Sequence, residues 1–161
     1  PNTSWLFSMN NSLSYKGFEL SVFLQGIAGN KIYNANNIDN TGMAAAYNQT
    51  TDVLKRWQGE GTSNSMPRAV FGDPNQNTRV SDRFVENGSY LRLKNITLSY
   101  TFPKQWLQKT QIENARLSLS CENVATITGY SGFDPEVGIN GIDQNRYPIS
   151  RTFSLGLNFN F

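Results

Sequence analysis

Charged and aromatic side chains that could contact a ligand are concentrated in residues 129–148. Aromatic rings can stack on sugar faces, and carboxylates accept hydrogen bonds from hydroxyl groups. The alternative is a loop that folds on itself, with Asp134 beginning a turn and glycines supplying positive φ angles. Both interpretations stay open on the sequence alone. The candidate contact residues are Tyr130, Phe133, Asp134, Glu136, Asp143 and Arg146.

A calcium site is a further interpretation of the same stretch, because oxygen-bearing side chains cluster in it. Asp134, Glu136, Asn140 and Asp143 are the candidate ligands. The spacing departs from an EF-hand loop, since Gly138 stands where a ligand should be and no Glu occupies the twelfth position. The sequence therefore predicts no metal site and no cofactor.

Composition argues against an enzyme. The chain has no His and a single Cys, so neither a Ser-His-Asp triad nor a Cys-His pair can form, and neither can a thiolate zinc site. Cys121 stands between Ser120 and Glu122 without an adjacent base, which favours a small packed residue over a reactive thiol. Glu60 and Asp73 could be imagined as a glycosidase dyad, but they lie in a long connection that offers no rigid scaffold. We expect no catalysis.

Net charge and hydropathy argue against nucleic-acid binding and against a transmembrane helix. A net charge of +2 and 16% charged residues provide no basic field for nucleic acid. The polarity comes instead from Asn, Ser, Thr and Gln. No run of about 18 apolar residues exists, so a transmembrane helix is not predicted.

Period-two alternation predicts five strands and almost no helix. In the first, Trp5, Phe7 and Met9 share one face, and Ser8 and Asn10 are among the small polar residues on the other. The third changes phase, because Leu91 and Leu93 would face opposite to Ile96 and the residues after it. A β-bulge explains this, and so does a strand that passes from one environment into another. The predicted strands are residues 4–15, 18–27, 89–102, 115–128 and 149–161.

The connections between these strands are short, long, short and long. Lys16–Gly17 forms a tight turn and residues 103–114 a short connection, whereas residues 28–88 and 129–148 form long loops. This asymmetry and strands of about 10–14 residues are typical of outer-membrane barrels. The alternative is a soluble β-sandwich, such as a carbohydrate-binding module, which would have to cover its open apolar edges. Five strands cannot close a membrane barrel, so we expect a piece of one.

Charged residues on the polar strand faces have two interpretations. Glu19, Arg116 and Glu122 could line a lumen and influence what passes through it. They could equally pair with neighbours along the barrel wall, which is the more common arrangement.

Four blocks of the sequence are similar to the SusC/RagA family of TonB-dependent outer-membrane transporters. They are Asn10–Asn34, Arg79–Pro103, Tyr130–Val137 and the closing "RTFSLGLNFNF". The resemblance implies an all-β transmembrane antiparallel barrel of 22 strands, of which residues 1–161 supply the last five. Residues 28–88 and 129–148 would then be extracellular loops, and residues 90–93 would lie above the membrane.

The resemblance also implies a function and partners. Such barrels hold an N-terminal plug, pair with a SusD-like surface lipoprotein and import glycans or peptides across the outer membrane of a Gram-negative bacterium. The TonB complex would act through the plug, which these residues do not include. Outer-membrane lipid would surround the barrel, and the candidate residues of the 129–148 loop would contact substrate or the lipoprotein. Phe161 resembles the terminal aromatic signal that the outer-membrane assembly machinery recognises.

Overall fold

The computed structural model describes residues 2–161, which form two compact units. The sheet unit comprises residues 2–30, 88–129 and 148–161; the loop unit comprises residues 31–87 and 130–147. The eight strands are β1 (Trp5–Tyr15), β2 (Phe18–Ala28), β3 (Lys31–Asn34), β4 (Val85–Asn87), β5 (Tyr90–Thr101), β6 (Asn114–Thr128), β7 (Ile142–Asp143) and β8 (Thr152–Asn160). The helices are short: α1 (Asn36–Asn40), α2 (Lys104–Leu107) and two 3-10 turns, Thr51–Lys55 and Asp82–Phe84. None of the helices within residues 2–161 is long and apolar enough to cross a membrane.

The sheet unit is an antiparallel sheet in the order β1-β2-β5-β6-β8. The β1–β2 turn consists of Lys16 and Gly17, with φ angles of 46° and 86°. Positive φ at both central residues gives the turn a twist that matches the flanking strands. The β5–β6 connection begins at Pro103, which precedes α2 and has the fixed φ suited to a helix start. The sheet is therefore an up-and-down meander with two long insertions.

One face of this sheet is apolar across all five strands. Directly paired residues point to the same side of a sheet, so the register defines the face. One row runs across the sheet through Leu13, Leu20, Leu98, Leu119 and Leu155. Apolar residues on this side remain open to the surroundings, with Trp5 at 74% and Leu155 at 71% exposure.

The opposite face of the sheet consists mainly of Ser, Thr and Asn and includes buried polar residues. Arg92 is 2% exposed and Ser99 is 3% exposed. The Arg92 Nε donates a 2.9 Å hydrogen bond to Thr126 Oγ1, and the guanidinium lies 5.4 Å from the Tyr90 ring centroid. A sheet in a water-soluble protein normally buries its apolar face and exposes its polar one. Here the apolar face is exposed, and the buried polar residues Arg92 and Ser99 lie on the opposite face, although β1 and β8 are exposed on both sides.

The phase change in the third predicted strand is a β-bulge. Leu93 pairs with Leu24 while Asn95 pairs with Phe23, so Lys94 is an extra residue in β5. The extra residue returns Leu91 and Leu93 to the same face as Ile96. Our expectation that they face opposite ways is wrong, and the bulge explanation is confirmed. No change of surroundings is needed to account for the pattern.

Aromatic rings form a contact chain at the end of the sheet that carries the short connections. Phe18 and Tyr100 have ring centroids 4.5 Å apart, Tyr100 and Phe102 are 5.2 Å apart, and Phe102 and Trp106 are 6.1 Å apart. Pairs at these separations stabilise by about 0.5–1.5 kcal/mol each beyond area burial. These ring contacts connect β2, β5 and α2 at this end of the sheet.

The loop unit has a small sheet of its own, in the order β4-β3-β7. Strand β3 pairs antiparallel with β4 and parallel with β7, so it joins the two long connections. Ile32, Tyr130 and Val137 pack together as its core, and Phe84 is also buried. These short strands were not expected from the sequence.

Candidate binding site in the loop unit

A cavity of about 540 Å³ in the loop unit has side-chain amides as the most frequent group in its lining. Asn34 ends β3, and α1 adds a full turn that is rich in Asn. Phe133 supplies exposed aromatic surface, and the buried Phe84 lies behind the wall. Amides both donate and accept hydrogen bonds, and a polar pocket with ring surface suits sugars or peptide segments. The lining Asn residues are Asn34, Asn36, Asn37, Asn40 and Asn145.

Glu86 of β4 fixes two of these amides. Its Oε1 accepts hydrogen bonds from Asn34 Nδ2 at 2.9 Å and Asn37 Nδ2 at 3.0 Å. Ser131 adds two more, from its hydroxyl to Oε1 at 2.8 Å and from its backbone N–H to Oε2 at 2.9 Å. One carboxylate thus connects β3, α1 and the residues 130–147 segment. Hydrogen bonds to a charged acceptor each contribute about 1.5–3 kcal/mol.

Arg83 forms another part of the pocket wall, and its donors are used within the protein. Nη2 donates to the Thr41 carbonyl oxygen at 3.2 Å and to Thr41 Oγ1 at 3.1 Å, and it also contacts Met66 Sδ at 3.0 Å. The guanidinium lies 5.2 Å from the Phe84 ring centroid. Burial lowers the pKa of Arg83 from its ordinary value, and the charge of Asp73 partly opposes this. Arg83 is therefore a structural cation of the wall.

Asp73 organises the turn that follows it. Oδ1 accepts from the backbone N–H and side chain of Asn77, and Oδ2 accepts from the backbone N–H and hydroxyl of Thr78, all at 2.7–3.1 Å. Burial alone would raise the pKa of Asp73, but the hydrogen bonds from Thr78 and Asn77 outweigh it and hold the pKa below its usual range. The carboxylate is saturated by these donors and acts as a turn-stabilising group.

A second cavity of about 430 Å³ adjoins the first. The two share Ser65, Met66 and Arg83 as lining residues. The second cavity adds Trp57 and Arg68. A linear oligomer that occupied both cavities would contact the shared residues at its middle. One of its ends would lie near the Trp57 indole and the other near the Asn side chains of the first cavity.

The candidate contact residues that the sequence suggested differ in their exposure and in their contacts. Tyr130 and Asp143 are buried, and the Tyr130 hydroxyl donates a 2.6 Å hydrogen bond to Asp143 Oδ2. Burial, then this hydrogen bond and nearby negative charge, raise the pKa of Tyr130. Phe133, 77% exposed, lines the larger cavity. The first two residues stabilise the loop unit, and Phe133 is available to a ligand.

The remaining candidates stabilise a local fold. Asp134 Oδ1 accepts a hydrogen bond from the Glu136 backbone N–H at 2.9 Å. This bond forms a turn at Asp134, which is the alternative to ligand contact that the sequence allows. Arg146 donates from Nη1 to the Glu136 carbonyl at 3.4 Å and lines a third, smaller cavity. Within residues 2–161 no group of three or more Asp, Glu, Cys or His side chains is arranged to hold a metal ion.

Other residues singled out from the sequence lie in the sheet unit. Glu19 and Arg116 form a 2.8 Å ion pair on the polar face, and both side chains remain about two-fifths exposed. Exposed pairs of this kind contribute little stability. Cys121 is half-buried on the apolar face, paired in register with Ile96. Phe161 follows β8 directly and is 82% exposed; its role in assembly stays a prediction.

Sequence reasoning missed the residues that build the pocket, above all Asn34, Asn37 and Glu86. The stretch "NANNIDN" shows the amides in the sequence, but Asn is common in turns and loops, so the cluster alone does not indicate a pocket. Glu86 gave no signal, since its partners lie 45–52 positions away in the chain.

Comparison with known proteins gives consistent matches. No protein-family model matches the chain. Over its full length it is 34% identical to TonB-dependent receptor P3 of Formosa agariphila, and over 97% of its length it is 32% identical to TonB-dependent receptor SusC of Bacteroides thetaiotaomicron. It spans 17% and 15% of those proteins.

Solved structures match in the same way. The RagAB peptide importer in its open-open state superposes with a TM-score of 0.83 at 29% identity, over 97% of this chain and 17% of that one. A structure of the RagAB peptide transporter gives 0.79 at 30% identity, over 92% and 16%. The similarity therefore extends through both units, but it covers only a small part of each known protein.

Proposed function

Because the chain belongs to the SusC/RagA family of TonB-dependent receptors, we propose that it is part of an outer-membrane barrel that imports glycans or peptides. The proposed barrel has 22 strands, and β1, β2, β5, β6 and β8 are its last five. Import needs the rest of the transporter, since this chain spans about one-sixth of its relatives. The proposed activity is binding and transport without covalent chemistry.

The exposed apolar face of the sheet is the observation that carries this proposal. Nine to fifteen residues in each of the five strands are enough to cross a bilayer at the tilt of a barrel wall. Lipid contact explains why Trp5 and Leu155 are open while Arg92 is buried on the other side. The unpaired outer edges of β1 and β8 would be closed by neighbouring strands of the barrel.

The register supports an orientation in the membrane. Ile27 pairs with Tyr90, and Glu122 pairs with Thr152, so both long insertions leave from one end of the sheet. The tight Lys16–Gly17 turn leaves from the other end, together with the β5–β6 connection. Barrels of this class carry long loops outside the cell and short turns in the periplasm. We therefore assign the loop unit to the extracellular side.

Substrate contact is proposed for the amide-lined cavity, and Phe133 is its most exposed aromatic residue. A SusD-like surface lipoprotein and the TonB complex are the proposed partners, the second acting through a plug outside this chain. One relative is named SusC and one structural neighbour is a peptide importer, so glycans and peptides are both retained as substrate classes. The candidate residues Tyr130, Asp134, Glu136, Asp143 and Arg146 would shape the loop around the cavity.

Uptake by whole cells tests the proposal. Deletion of the gene in its own bacterium should abolish energy-dependent uptake of a labelled glycan or peptide, and the full-length gene should restore it. Complementation with Phe133→Ala should weaken uptake several-fold. Phe71→Ala is the matched control, because Phe71 is an equally exposed ring in the same unit that lines neither of the two larger cavities. Undiminished uptake of all labelled glycans and peptides by the deletion strain would contradict the proposal.

A further inference from the structure

Glu86 determines which way two pocket amides face. A carboxylate only accepts hydrogen bonds, so every group that points at it must offer a donor. Asn34 and Asn37 both direct Nδ2 to Glu86 Oε1. Rotating either amide by 180° would place its carbonyl oxygen against the carboxylate. The amide nitrogens are therefore held toward Glu86, and the carbonyl oxygens face away from it.

The two carbonyl oxygens are left without partners. Asn34 is 2% exposed, and its Oδ1 forms no hydrogen bond within residues 2–161. The Asn34 Nδ2 is committed to Ser131 Oγ as well, at 3.2 Å, which opposes rotation further. Asn37 is half-buried, and among residues 2–161 its Oδ1 is not bonded either. A buried acceptor without a donor is destabilising, and a ligand donor would relieve this.

The charge around this wall favours a cationic donor. All four groups that donate to Glu86 are uncharged. Within residues 2–161 its carboxylate makes no ion pair. Of the lining cations, Lys55 is paired with Asp52 at 3.0 Å, and the nearby negative charge of Asp73 acts on Arg83. The Asn34 and Asn37 carbonyl oxygens, the negative ends of the two amide dipoles, point away from Glu86. The negative charge of Glu86 is not balanced by an ion pair within the described residues. Together, these oxygens and this charge attract an ammonium group.

We propose that Glu86 is a positioning residue that makes the cavity selective for a ligand ammonium group, held by Asn37 and Asn34 carbonyl oxygens. This rests on the proposed function, in which the cavity contacts substrate. The ammonium could come from the amino terminus of a peptide or from an amino sugar. Both sources present N–H donors with a positive charge, and the experiment separates them.

The test compares ligands that differ at their cationic group. Trialanine amide and a glucosamine trimer carry ammonium groups, and their N-trimethyl analogues keep the positive charge but lose the N–H donors of those groups. Binding of all four to the purified full-length transporter is measured by calorimetry. We expect the ammonium form of one source to bind about tenfold or more tightly than its trimethyl analogue, the effect of one or two charge-assisted hydrogen bonds. The source that shows this preference identifies the ligand class.

The variants separate positioning from folding. Glu86→Gln should reduce the preference to about threefold or less because the amides are then free to rotate. Asn37→Leu should reduce it as well because one of the two acceptors is gone. Glu60→Gln is the control, since Glu60 is an exposed carboxylate in the same unit that lines neither of the two larger cavities, and it should keep the full preference. General destabilisation would weaken both members of a ligand pair and leave their ratio unchanged.

Three outcomes would overturn the proposal: a full preference in Glu86→Gln and Asn37→Leu, no preference in the unmodified transporter, or no binding of any of the four probes. Uptake by the same cells is recorded in parallel. If uptake of a labelled glycan or peptide remains dependent on the gene, only the role of Glu86 fails. Loss of that dependence would instead contradict the proposed transport function.

Discussion

Replacing Leu155 with Arg should destabilise the folded protein strongly, although the side chain is exposed. Leu155 is the fourth of nine residues in β8 and is 71% exposed on the apolar face. On the lipid face of a barrel, Arg near the bilayer midplane costs about 2–4 kcal/mol. On a water-facing surface the same exposed substitution would change stability by about 0.5 kcal/mol or less. The two environments therefore predict clearly different free energies of unfolding.

The matched control is Ser154→Arg, one residue away on the opposite face. Ser154 pairs with Ser120, whereas Leu155 pairs with Leu119. Because the proposed lumen is polar, we expect Ser154→Arg to change the free energy of unfolding by less than about 1 kcal/mol. The assay is guanidinium titration of the full-length transporter folded into lipid vesicles, followed by heat-modifiable gel mobility. A Leu155→Arg variant as stable as Ser154→Arg would refute the reasoning.

The remaining predictions concern the loop unit. Tyr130→Phe removes the hydrogen bond to Asp143 and leaves that buried carboxylate short of a donor, so the loop unit should lose about 1.5–3 kcal/mol, measured as protease resistance of its segments. The same resistance should fall in acid, because the folded pKa of Asp73 lies below its ordinary value of 3.8. The stabilisation that ionised Asp73 contributes is complete above its ordinary pKa of 3.8 and is lost as the pH falls through the lower pKa of the folded state. Asp73→Asn should lose this acid-dependent part, and an unchanged acid profile would contradict the assignment.

The all-β class and the apolar face followed from local patterns. Residues such as Trp5, Phe7 and Met9 recur at every second position, with Leu6 as an apolar exception between them, and period two survives because each strand keeps one side in one environment. Alternation alone could not tell whether this face would contact lipid or a protein core, because both select the same residues. The lengths of the strands and connections favoured a barrel, and the structure adds that Arg92 and Ser99 are buried on the opposite face.

Features that depend on distant pairing could be predicted only in part or not at all. The phase change in β5 predicted a bulge as one of two explanations, but its position at Lys94 is set by the register with β2. The loop unit needed β3 to meet β7, more than 100 positions away. The pocket depends in the same way on Glu86, whose donors come from three separate segments. Alternation carries no information about such contacts, because it reports one strand at a time.

Collision accessibility of spin labels at neighbouring positions tests most directly whether the apolar face contacts lipid. Single cysteines are placed by Leu155→Cys and Ser154→Cys in a Cys121→Ser background, with any other cysteines of the full-length transporter removed. Oxygen concentrates in lipid and a nickel chelate in water. We expect the label at position 155 to collide mainly with oxygen and the label at position 154 mainly with the chelate. Equal exposure of both labels to the chelate would contradict a membrane-spanning sheet.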